Sequence, residues 1–355
     1  MRRASILVFL SLTPDVIAFS SPVSKNVDVS TRQQPVGDML ILDHLNINHE
    51  QGRHDWLKAF YFDFLGCAVD PRKEENLAKG KKTLWANIGA QQFHLPEGKP
   101  DAQVLEGIVT LSFPDLSTLA KKYEDVKQQL TGSKFQLQHE TDRLVVTDPW
   151  GTQFHLLQGH ARDPRGEQPG GTSAGLSLQD LTIYTPPRCN MAGIARFYEE
   201  ILNAHILNLD DDRCVVSVGP WQTLTFASHP EGRTPVHEDL HEEEVESLVG
   251  QPSFLSNYGP HVSMYVTDLP TSYLKAEELG VAYVNPRFKR RAYTLAEAVD
   301  DCMFRCLDIV DPEQPEAGAI LKLEHEIRSI VKRDGSMYAS CPFDEIPAGC
   351  KTVEK

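Results

Sequence analysis

The chain lacks the marks of several large protein classes. Basic residues are in the minority, with 35 Lys+Arg against 50 Asp+Glu and a net charge of −15. A nucleic-acid binder needs a basic surface to displace counterions, so that class is excluded. Beyond the N-terminus no apolar run approaches the roughly 18 residues of a membrane span, and mean hydropathy is −0.34. The seven cysteines are dispersed and form no C-x-x-C pair, so neither a zinc ribbon nor a thioredoxin-type centre is indicated. Cys302 and Cys306 are four apart and fit one helix face as buried thiols. Neither a phosphate-binding P-loop nor a strand followed by G-x-G-x-x-G is present, which removes support for nucleotide-dependent chemistry. What remains is a folded chain of 355 residues, 41% hydrophobic, long enough for two domains.

The first residues read as an address. Arg2 and Arg3 precede the apolar stretch Ile6–Leu12, and Ala18-Phe19 resembles a processing junction. The following segment contains Lys25 and Arg32 with Asp28 as its one acid, and resembles the bipartite presequence of secondary plastids. Residues 1–37 are therefore set apart from the fold. The expected destination is a plastid, with secretion as the alternative.

From Met39 onward one pattern recurs four times: a strand, a helix, then three strands. Starting-strand positions 44, 108, 180 and 261 are equivalent. Phe60-Tyr61-Phe62-Asp63-Phe64-Leu65-Gly66 in the first helix matches Phe197-Tyr198-Glu199-Glu200-Ile201-Leu202-Asn203 in the third. Gly66 and Asn203 each suit a left-handed helix stop. Asp115-Leu116 and Asp268-Leu269 open the other two helices, with aspartate as the cap. Asp148-Pro149-Trp150-Gly151 marks a turn before a closing strand. A lone unit exposes an apolar sheet face and an open edge, so units must pair. The expected class is α+β, with two tandem domains, each of two paired βαβββ units forming a cupped mixed sheet. The boundaries are 39–160 and 177–327, followed by a tail over 328–355.

This pattern resembles the vicinal oxygen chelate superfamily of glyoxalases, fosfomycin-resistance proteins and extradiol dioxygenases. The resemblance implies cups that hold a divalent metal on first and closing strands. Within the chain, Gln92-Phe93-His94-Leu95 recurs as Gln153-Phe154-His155-Leu156, and His44 lies on the first strand. Strand alternation places Gln92 with His94, and Gln153 with His155, on one face. His44, His94 and His155 are thus the first candidate ligand set for Zn, Fe, Ni or Mn, with Gln92 and Gln153 as candidate substrate-binding groups. Where the family commonly has a carboxylate ligand, both closing strands carry His. The second candidate set is Asp180, His261 and Glu324. The activity implied is that of a metal-dependent lyase or dioxygenase on a small oxygen-bearing molecule, the metal acting as a Lewis acid. The alternative is a metal-free small-molecule binder, like the bleomycin-resistance members.

Two literal motif matches have a plainer reading. His237-Glu238-Asp239-Leu240-His241 spells H-E-x-x-H, but Glu242, Glu243, Glu244 and Glu246 follow, and a zincin helix needs an apolar face. Gly171-Thr172-Ser173-Ala174-Gly175 spells G-x-S-x-G, yet no strand precedes it, so an interdomain hinge is expected.

Overall fold

The computed structural model describes residues 36–79, 83–97, 101–159, 171–230, 232, 260–285, 288 and 290–351. The presequence up to residue 35 and the H-E-x-x-H segment lie outside the described residues. Four βαβββ units follow one another. The first comprises β1 (Met39–Asn46), α1 (His54–Leu57), β2 (Ala68–Val69), the short α2 (Glu74–Lys79), β3 (Thr83–Ile88) and β4 (Gln91–Pro96). The second comprises β5 (Gly107–Phe113), α3 (Leu116–Val126), β6 (Gln136–His139), β7 (Arg143–Thr147) and β8 (Gln153–Gln158). The third comprises β9 (Ser177–Thr185), α4 (Met191–Leu202), β10 (Ile206–Leu209), β11 (Arg213–Ser217) and β12 (Thr223–Ser228). The fourth comprises β13 (His261–Val266), α5 (Leu269–Glu278), β14 (Ala282–Tyr283), α6 (Leu295–Asp301), β15 (Met303–Val310) and β16 (Ala319–Ser329).

The local signals act as their chemistry requires. Asp115 accepts the Ser117 N–H at 2.8 Å, and Asp268 accepts that of Thr271 at 3.1 Å, capping α3 and α5. Asn203 ends α4 at φ 47°, and Gly66 ends the first unit's helix at φ 68°. The matched helix motifs differ in one respect. α1 continues as a π-helical stretch, Lys58–Phe64, and Leu65 N–H closes onto Phe60 C=O at 2.9 Å, five residues back.

In every unit the first strand runs parallel to its own closing strand, as β1 does with β4 and β13 with β16. Units then join through antiparallel first strands, which pair β1 with β13 and β5 with β9. One eight-stranded sheet runs β14-β15-β16-β13-β1-β4-β3-β2, and the other β10-β11-β12-β9-β5-β8-β7-β6. The first unit is therefore paired with the fourth, and the second with the third. This corrects the expected division at 39–160 and 177–327: each sheet draws one unit from each half. Every first strand offers an equivalent hydrogen-bonding edge, so which two edges meet is a tertiary matter.

The units also interlock across the sheets. Phe60 from the first unit packs on Phe154 from the second with ring centroids 5.2 Å apart. Tyr198 from the third hydrogen-bonds His325 from the fourth at 2.6 Å. One apolar core passes through all four units. Each fully buried aromatic contributes roughly 1.5–3 kcal/mol of transfer free energy to it.

Ser173 of the G-x-S-x-G match is buried; its hydroxyl donates to Gly175 C=O at 2.7 Å and accepts Gly89 N–H at 2.8 Å. It is a clamp between connections rather than a free hinge. All seven cysteines are free thiols. Cys302 ends α6 with a left-handed φ of 55° and Cys306 lies on β15, so the two share no helix face, though both are buried. The segment after β16 is no loose tail: Phe343 packs against Tyr265 with centroids 6.1 Å apart. Among the described residues no helix is long and apolar enough to cross a membrane.

Candidate metal centre

Strand register defines equivalent positions in all four units. His44 lies opposite Gln92, Ile108 opposite Gln153, Asp180 opposite Thr223 and His261 opposite Glu324. Two residues further along each closing strand are His94, His155, Thr225 and Glu326, on the same face. Because the first and fourth units share a sheet, one cup collects His44, His94, His261 and Glu326. The other cup collects Ile108, His155, Asp180 and Thr225.

In the first cup, His44, His261 and Glu326 are all buried, and their potential ligand atoms lie within 4.8 Å of one another. The approach is across the β1–β13 seam: the His44 and His261 rings are 5.7 Å apart, and His261 Nε2 lies 4.0 Å from Glu326 Oε2. A register shift in β1 between Leu42 and His44 allows Asp43 and His44 to act together. Asp43 Oδ2 accepts the His44 Nδ1–H at 2.8 Å. That hydrogen bond leaves the lone pair on His44 Nε2, which is buried without a hydrogen-bond partner. A carboxylate behind an imidazole is the usual way to orient a metal-ligating histidine.

The electrostatics suit ligation. Burial lowers the His261 imidazole to about 3, so it is neutral at pH 7. Burial would raise the Glu326 carboxyl, but the Arg305 and Arg328 guanidiniums outweigh it and hold the group ionised. Arg328 Nε lies 2.8 Å from Glu326 Oε1, and Arg305 binds Glu326 Oε2 and, at 2.5 Å, Glu324 Oε1. Each Glu326 oxygen retains a second lone pair. Two imidazoles, one of them with an orphaned buried nitrogen, and one carboxylate thus fit a divalent first-row ion with open positions.

The expected ligand sets are regrouped by this geometry. His44 is in the centre and His94 is beside it, stacked between His44 and Trp85 with centroids 3.7 and 4.3 Å away. Burial and the neighbouring histidines lower its imidazole well below 6.5. His94 Nε2 meets Gln92 Oε1 at 3.1 Å, outside the three-ligand group. His155 is in the other cup, where Arg143 donates to its Nδ1 at 3.3 Å. The set His44, His94 and His155 therefore does not converge, because β4 and β8 belong to different sheets. Nor does the set Asp180, His261 and Glu324. Asp180 lies in the other sheet and accepts the hydroxyls of Thr182, Thr223 and Thr225 at 2.6, 2.5 and 2.7 Å. Glu324 is held by Asn285 at 2.9 Å and by Arg305.

Gln92 is tied into the scaffold, its Nε2 donating to Asp70 at 2.7 Å and to Asn87 at 2.6 Å. Gln153 donates to Thr147 at 2.9 Å in the second cup, where Ile108 replaces a ligand by a hydrocarbon. The residues missed in the sequence are Glu326 and Asp43. Glu326 carried a signal, since it shares alternation with Glu324. Asp43 carried none, because its place depends on the register shift.

Paired βαβββ units whose first strands run parallel to their own closing strands form two cupped sheets, an architecture that resembles the vicinal oxygen chelate fold. Scans against protein-family models and against curated proteins find no match. Solved structures similar to the chain include a glyoxalase I variant from Zea mays, at 13% identity, covering 85% of this chain and 97% of that one, with a TM-score of 0.46. Another is the 2,3-dioxygenase LapB from Pseudomonas, at 13% identity, 85% and 94% coverage and a TM-score of 0.28. The fosfomycin resistance protein FosX from Mesorhizobium loti is similar to 34% of this chain over 92% of its own, at 10% identity and a TM-score of 0.25.

Proposed function

We propose that the protein is a metal-dependent enzyme of the glyoxalase/dioxygenase type, acting on a small oxygen-bearing molecule in the cup of the first and fourth units. His44, His261 and Glu326 would hold the ion. The observation that carries this reading is the partnerless, buried His44 Nε2 within 4.8 Å of the other two donors. When bound, the metal supplies Lewis acidity to a substrate oxygen. Asp43 keeps His44 in the ligating tautomer. Arg305 and Arg328 keep Glu326 ionised. His94, pressed between Trp85 and His44, limits ring rotation and supplies one wall. The second cup, with Ile108 and a hydroxyl-saturated Asp180, is read as structural.

A second reading rests on those same arginines. Two guanidiniums already compensate Glu326, so the cup is charge-balanced without an ion and suits a metal-free binding protein. Cobalt loading of the full chain separates the two. The enzyme reading expects a visible Co²⁺ band that shifts with acetohydroxamate, a bidentate oxygen ligand; this acetohydroxamate-sensitive band is lost in His261→Ala, whatever Co²⁺ binds elsewhere. An acetohydroxamate-independent spectrum, identical in wild type and His261→Ala, would sink it.

A further inference from the structure

We propose that His49, His54 and Glu97 form a second site for a divalent metal of the Zn²⁺ class, outside both cups. The three come together at one corner of the first unit. His49 follows β1, and its N–H donates to Pro96 C=O at 2.9 Å, extending the parallel ladder by a bridge between His49 and Glu97. His54 is the first residue of α1, and the connection between β1 and α1 turns the His49 and His54 imidazoles toward each other. Their ring centroids are 4.9 Å apart, and one ligand atom from each of the three residues lies within 4.8 Å of the others.

The unsatisfied polar atoms point to a ligand. His49 is only 1% exposed, and both of its ring nitrogens are buried without a hydrogen-bond partner. The carbonyls of Leu95 and Pro96 influence the ring without reaching hydrogen-bond geometry. Both ring nitrogens of His54 are buried and unpartnered too. An unsatisfied buried donor or acceptor costs roughly 1–3 kcal/mol, so four in one corner call for a shared partner. A metal ion satisfies one nitrogen of each ring at once.

The chemistry of the surroundings agrees. Burial, followed by the charge of His54, lowers His49, and burial also lowers His54. Of the nearby cations, Arg53 is turned away, lying over Trp56 at 3.5 Å and pairing with Asp55 at 2.9 Å, while Lys58 acts on His54 only through its charge. Glu97 accepts Gly52 N–H at 2.9 Å, which draws the connection over the site. Two imidazoles and a carboxylate are a Zn²⁺ donor set, with water as a fourth ligand, whereas Ca²⁺ and Mg²⁺ prefer all-oxygen shells. An ion here would pin the β1–α1 connection to the end of β4. Glu50, which accepts Trp150 Nε1–H at 3.2 Å, carries that corner to the second unit.

The test uses the full chain, stripped with chelator and titrated with ZnCl₂, with bound metal counted by mass spectrometry. His54→Gln is expected to bind one Zn²⁺ per chain fewer than wild type, and Glu97→Gln to bind that ion at least tenfold more weakly. The difference between wild type and variant isolates this site, whether or not the cup also takes metal. Zn²⁺ should also raise the melting temperature of wild type more than that of Glu97→Gln. The amide introduced by Glu97→Gln keeps an acceptor for Gly52 N–H, so this variant carries the test if His54→Gln fails to fold. Equal stoichiometry and affinity in wild type and Glu97→Gln, or no Zn²⁺ bound by wild type, would overturn the proposal.

Discussion

His44 and His261 face each other across the antiparallel β1–β13 seam with rings 5.7 Å apart and planes at 72°. They belong to the first and the last of four repeated units. The candidate centre is therefore assembled only when the two ends of the folded region meet.

Asp43 fixes the His44 tautomer through a 2.8 Å hydrogen bond. Asp43→Asn removes the negative charge behind that imidazole while retaining a similar shape. Metal affinity at the cup should fall about 10–100-fold. Competition against a chromogenic chelator measures this, and an unchanged affinity would count against His44 as a ligand.

His155 lies in the other cup beside Arg143. His155→Ala should leave metal stoichiometry unchanged and cost no more than about 1 kcal/mol in urea unfolding. A lost metal equivalent would restore the grouping of His155 with His44.

His325 is fully buried, and burial lowers its imidazole to about 4. An unfolded chain protonates it near 6.5. Between these values the unfolded state binds a proton that the folded state does not. The group's contribution is thus lost as pH falls from 6.5 toward 4, to a full extent of about 3 kcal/mol. Urea midpoints at pH 7 and pH 4.5 should converge more closely in His325→Asn than in wild type. An equal acid loss in both would contradict the assignment.

Gly107 stands where β5 crosses close to β9. A Cβ there would lie 1.9 Å from Thr182 C=O, which is backbone and cannot swing aside. Gly107→Ala should destabilise the protein by about 1–3 kcal/mol through strain at the seam of the second and third units. A melting curve like that of wild type would show that the seam tolerates displacement.

Much of the architecture was legible in the amino-acid order, because its causes are local. Aspartates 115 and 268 marked helix starts, and Gly66 and Asn203 marked left-handed stops. The equivalence of residues 44, 108, 180 and 261 is borne out by strand register. Each of these depends on backbone sterics or on hydrogen bonds between near neighbours.

The partnership of the units was decided elsewhere. β1 can extend a ladder with any first strand, and its residues do not record whether the edge it meets is β5 or β13. That choice is made by packing of the whole core, including Phe60 on Phe154 and Tyr198 on His325. It separates His155 from His44, brings His261 in, and selects Glu326 over Glu324. The amino-acid order determined which side chains point into a cup, through the two-residue period of a strand. Only the tertiary structure decided which cups they share, because a sheet edge is chemically alike in every unit and long-range closure alone distinguishes one edge from another.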